Sequence, residues 1–127
     1  MKRFKIAILL ILCLQVSLFS QTTGKISGTI KNFETQEPLI GVNIIVEGTY
    51  LGAATDVDGK YFILNVPSGT FTVALSSIGY TKKIITDVNV SVNRTTQLST
   101  TMQQTEIIGE EVVVTAEKIA MKKDQTS

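Results

Sequence analysis

The residues with the clearest chemical potential are the paired carboxylates of Asp56-Val57-Asp58-Gly59. Asp-x-Asp-Gly runs recur in loops that hold calcium, because carboxylate oxygens are hard ligands for a hard cation. A full EF-hand loop needs ligands at further positions and a Glu at the twelfth. Counted from Asp56, the twelfth residue is Pro67, so the match fails and the run is expected to be a hairpin turn, with Gly59 available for positive φ. Ser76, Ser77 and the many Thr residues could be nucleophiles only beside a base, and the 127-residue chain has no His. The acidic residues fall mostly in turns and flanks, with no spacing that marks a general acid–base pair. Tyr50, Tyr61 and Tyr80 could line a sugar-binding surface, but such rings more commonly pack inward and hydrogen-bond their hydroxyls. Asn89-Val90-Ser91 and Asn93-Arg94-Thr95 fit the glycosylation triplet and read as strand-edge Asn. These patterns imply no enzyme, no metal and no cofactor.

Composition excludes further classes. A formal charge of +1 is not that of a nucleic-acid binder, and one Cys forms no internal disulfide. With 18% charged and 43% hydrophobic residues, the chain can bury a core. The averages hide an atypical N-terminus. Lys2, Arg3 and Lys5 precede an uncharged apolar run, Ile6 to Leu14, and a more polar stretch ending at Ser20. This is the pattern of a secretory signal peptide, residues 1–20, with cleavage expected after Ser20. The run is too short for a membrane-spanning helix, which needs ~20 apolar residues, and no spanning segment is expected in the mature chain. Leu12 precedes Cys13, where a lipidated Cys would follow a small residue, so Cys13 reads as an ordinary signal residue. Loss of this segment removes three of the twelve basic residues, leaving nine against eleven acidic ones.

The elements that follow are short strands. Ile26, Gly28 and Ile30 alternate with Ser27 and Thr29; Val42, Ile44 and Val46 repeat that period. Phe62, Leu64 and Val66 are expected to share one inward face, as are Phe71, Val73 and Leu75, and then Val88, Val90 and Val92. A period of two with many β-branched residues means half-buried strands. Polar or Gly- and Pro-containing breaks at 32–38, 56–59, 67–69 and 79 separate them. The expectation is an all-β, two-sheet sandwich over 21–104. Residues from Met102 onward read as a polar linker, followed by Glu110-Glu111-Val112-Val113-Val114-Thr115-Ala116 and a polar tail. That apolar block suits one more strand of the sandwich. It equally suits a segment that adds as an edge strand to a partner, with flanking acids that discourage self-pairing.

Ile26-Ser27-Gly28-Thr29-Ile30, Glu37-Pro38-Leu39-Ile40-Gly41-Val42-Asn43-Ile44, Thr55 to Phe62 and Ser77-Ile78-Gly79-Tyr80, taken in this order, resemble the carboxypeptidase regulatory-like domain. The variant is similar to that at the front of TonB-dependent outer-membrane receptors of the Bacteroidetes type. The resemblance implies a prealbumin-like sandwich of about seven strands and a non-enzymatic accessory role in a nutrient receptor. It also implies that Glu110, Glu111, Val112, Val113, Val114, Thr115 and Ala116, within a 105–127 linker and tail, form a TonB box that pairs with TonB. The implied location is the periplasm, in association with the outer membrane. The sequence stops where such a receptor would continue into plug and barrel, so the expectation is either the front piece of a receptor or a free-standing relative. A free-standing periplasmic or surface binding module, for glycans, is the alternative.

Overall fold

The computed structural model describes residues 2–14, 22–105 and 111–116. Lys2–Leu14 forms α1, with Phe4, Ile6, Leu9 and Leu12 exposed. The expected cleavage site after Ser20 lies outside the described residues, as does the tail beyond residue 116. Among the described residues, no helix is long and apolar enough to cross a membrane.

Among the described residues the body is built from nine strands, two more than the seven or so expected. They are β1 (Thr23–Asn32), β2 (Asn43–Val46), β3 (Gly52–Ala54), β4 (Lys60–Pro67), β5 (Gly69–Ser76), β6 (Lys82–Val90), β7 (Thr95–Gln97), β8 (Thr100–Met102) and β9 (Glu111–Thr115). One sheet has β4 antiparallel to β1, with β7 and β8 paired in parallel to successive parts of the other edge of β1. The second sheet has the order β3-β2-β5-β6-β9, antiparallel except for the parallel β6–β9 pair. Between the two sheets lies one apolar layer that includes Ile26, Ile30, Ile44, Leu75, Ile85 and Met102.

Local chemistry explains where strands begin and end. The Asp56 carboxylate accepts from the amides of Asp58 (2.9 Å) and Lys60 (3.0 Å), and Gly59 takes φ +72°. The Asp56 carboxylate is thus engaged in closing a turn. It is not the expected hairpin: it carries the chain from β3 in one sheet to β4 in the other. The turn after β1 is organised by buried Asn32, whose Oδ1 accepts from the amides of Glu34 and Thr35 while its Nδ2 donates to the Tyr80 hydroxyl at 3.1 Å. Hairpins form instead at β2–β3 and at β5–β6, the latter closed at Ser77–Tyr80.

Two expectations about faces need correction. Phe62 and Leu64 point to solvent, and Tyr61, Ile63 and Val66 are the buried residues of β4. Asn65 adopts φ +58° and adds one residue to the alternation, so Val66 returns to the inside. Asp87 (φ +59°) does the same between Ile85 and Val88. Val92 lies in the turn after β6 rather than on its inward face. Met102, read as the start of a linker, is a buried core residue at the end of β8. The chain beyond it stays tied down: the Thr81 amide donates to the Gln103 carbonyl, and the Thr105 amide to that of Gly79.

Candidate functional site: the β9 edge

The three tyrosines do not form a surface together. Tyr61 is 3% exposed and its hydroxyl donates to the Leu98 carbonyl at 2.5 Å. Burial drives its phenol well above the ordinary range, so it stays neutral. The Tyr80 hydroxyl is held by Asn32, and Tyr50 stands free at the β2–β3 turn. Among the described residues, no group of three or more His, Cys, Asp or Glu is placed to hold a metal ion. A cleft of about 160 Å3 opens between the sheets, with Phe33, Lys83, Met102 and Val112 in its lining. That is below the ~300–1,000 Å3 of a typical small-molecule site.

The remaining candidate is the 110–116 segment. Glu110 lies outside the described residues. Glu111 to Thr115 form β9, which lies in parallel register against β6 and pairs Lys82 with Glu111, Lys83 with Val112, Ile84 with Val113, Ile85 with Val114, and Thr86 with Thr115. The segment expected as part of a linker is therefore the edge strand of the five-stranded sheet. Its valines divide by face. Val114 and Ala116 pack against the core, and Val112 lines the cleft beside Lys83. Lys83 Nζ crosses to the other sheet, donating to the Thr100 hydroxyl (2.6 Å) and the Thr101 carbonyl (2.9 Å). Val113 is on the outer face and 59% exposed. It ends a cross-strand apolar row that runs Ile45, Ala74, Ile84, Val113, flanked by Thr72, Thr86 and Thr115 on one side and Ser76, Lys82 and Glu111 on the other.

The backbone divides in the same way. The Thr86 hydroxyl donates to the Val114 carbonyl at 3.4 Å, which places that carbonyl on the β6 side. Peptide groups alternate along a strand. The N–H and C=O groups of Glu111, Val113 and Thr115 therefore face away from β6. Among the described residues they form an open edge in unbroken register, and the strand itself has no Pro and no bulge.

The strand is weakly held. Ordering five backbone residues costs roughly 5–10 kcal/mol. Against that stand roughly 3 kcal/mol from half-buried Val112, Val114 and Ala116 and about 1 kcal/mol for each net ladder hydrogen bond. The two sides are of similar size, so β9 is held only marginally.

The chain belongs to the CarboxypepD_reg-like domain family, which matches residues 26–114, including most of β9. TonB-dependent receptor P3 of Formosa agariphila is 29% identical over 97% of this chain and 12% of its own length. TonB-dependent receptor SusC of Bacteroides thetaiotaomicron is 39% identical over 61% of this chain and 8% of its own. The chain thus spans about an eighth or less of these curated relatives. Among solved structures, a type II cohesin–X-dockerin complex of Acetivibrio cellulolyticus matches with TM-score 0.57 and 30% identity over 68% of this chain and 62% of that one. The TIE protein of Bacillus anthracis shares the fold, with TM-score 0.51 and 20% identity over 65% of this chain and 17% of its own.

Proposed function

We propose that this chain is the N-terminal accessory domain of a TonB-dependent outer-membrane nutrient receptor. It is exported by a signal peptide at 1–20, stands in the periplasm against the outer membrane, and carries no catalysis of its own. Residues 110–116 are the segment that pairs with TonB. In this reading the plug and barrel that would follow the domain select and carry the nutrient. The observation that supports the reading is the open backbone edge of β9, set in a family whose curated matches are TonB-dependent receptors. Strand addition uses main-chain hydrogen bonds for grip and alternate side chains for selectivity.

The test is capture of the full chain by immobilised TonB C-terminal domain. The parent chain is retained. Val113→Pro, which removes one outward-facing N–H, loses retention by tenfold or more. Retention equal to that of the parent after this change would sink strand pairing.

A further inference from the structure

We infer that the docked form of β9 is the binding form: a partner strand adds to its outer edge while its inner edge stays paired with β6. This rests on the proposed pairing of 110–116 and adds a mechanism to it. The alternative is a segment that must leave the sandwich before it can be gripped.

Three observations carry the inference. First, the strand is shaped before any partner arrives. β6 fixes its five residues in extended geometry, so the partner meets a preformed edge and the ordering cost has already been met by the domain. Second, the polar groups a partner needs are those β6 does not use. The Val114 carbonyl faces β6, and the peptide groups of Glu111, Val113 and Thr115 face out. Third, the outer-face row Ile45–Ala74–Ile84–Val113 stops at an exposed valine. A sixth strand with an apolar residue beside Val113 would continue the row and cover that side chain. Charge fixes the neighbouring position: Lys82 and Glu111 are partners in one row, so a basic residue on the incoming strand would meet Glu111 on its open side.

The other edges are less inviting. β3 is only three residues long, and β4 carries the Asn65 irregularity and ends at Pro67. The edge opposite β4 is split between β7 and β8.

The experiment is a reversible lock. Thr86 and Thr115 are Cα partners, both on the outer face. In the full chain with Cys13→Ser, Thr86→Cys with Thr115→Cys would staple β9 to β6 when oxidised and free it when reduced. Binding to TonB C-terminal domain is measured in both states. The inference expects the oxidised form to bind within about threefold of the reduced form. A loss of tenfold or more on oxidation, restored by reduction, overturns docked binding and leaves the pairing of 110–116 intact. Failure of both forms, together with failure of the parent, overturns the pairing itself and docked binding with it.

A proline pair gives a second reading. Val113→Pro strips the outer edge, and Val114→Pro strips the inner one. Docked binding expects both to lose the partner, the second because the strand comes away from β6. Retained or tighter binding by Val114→Pro overturns it.

Discussion

The first and last strands of the sandwich are both paired in parallel with a neighbour, and they differ in almost everything else. β1 runs for ten residues between β4 on one side and β7 and β8 on the other, and it drives Ile26 and Ile30 fully into the core. β9 runs for five, pairs on one side only among the described residues, and has no residue fully buried. The contrast shows how one fold separates two tasks. Strands bonded on both edges hold the structure, because their backbone groups have nowhere else to go. A strand bonded on one edge keeps half of its backbone for other chains.

The contrast can be broken or sharpened by substitution. The largest effect is expected at β1. Ile26→Ala leaves a cavity in the central layer and should cost about 2–5 kcal/mol, read as a lower urea midpoint. A loss below that range would mean β1 is no more essential than an edge. Next is Tyr61→Phe on β4, beside β1. It removes the hydroxyl that donates to the Leu98 carbonyl, with an expected loss of roughly 1–3 kcal/mol in the same assay.

Tyr61 also sets an alkaline limit. Its phenol is raised by burial, so the fold favours the neutral form. That contribution is fully present below the unfolded tyrosine value of about 10 and is lost as pH rises above it. Stability should therefore fall above about pH 10, and Tyr61→Phe should flatten the fall. An unchanged slope would show that Tyr61 does not titrate the fold.

At β9 the effects should be small and local. Val114→Ala is expected to cost about 1 kcal/mol or less. Its signature is faster amide exchange at Val112 and Val114, with exchange in β1 unaltered. Slower global refolding or a large drop in midpoint would place β9 in the core after all. Val113→Ser should change stability by less than about 0.5 kcal/mol and still weaken partner capture, since its side chain faces solvent at the end of the outer row.

The period-two pattern was enough to read a two-sheet sandwich, because Ile26, Ile30, Ile44, Val73 and Leu75 alternate cleanly and are all buried. It misled in β4, where the bulky Phe62 and Leu64 are outside. One left-handed Asn at position 65 resets the face, and no local hydrophobicity announces it. Lys82 to Thr86 carries no period of two, because Ile84 belongs to the outer row and Ile85 to the core, which puts two apolar residues side by side. Asn32 escaped because its role depends on Tyr80, 48 residues away. The valines of β9 were visible at once, and the sequence left two roles open for them. Only the register with β6 shows that being a strand of the sandwich leaves an edge to spare.

The direction of β9 has a mechanical consequence. Thr23 of β1 lies opposite Pro67, and Val90 of β6 lies opposite Gly69, so the start of β1 and the run of β9 lead to the same end of the sandwich. Tension drawn between those two points would load β9 across its ladder rather than along it. The strand would open like a zip from Thr115 toward Glu111, one bond at a time and at low force. The Thr105–Gly79 and Tyr80–Asn32 bonds at the far end would arrest the tear before it reached the core. Under such a pull β9 would part from β6 before the strands of the core part from one another.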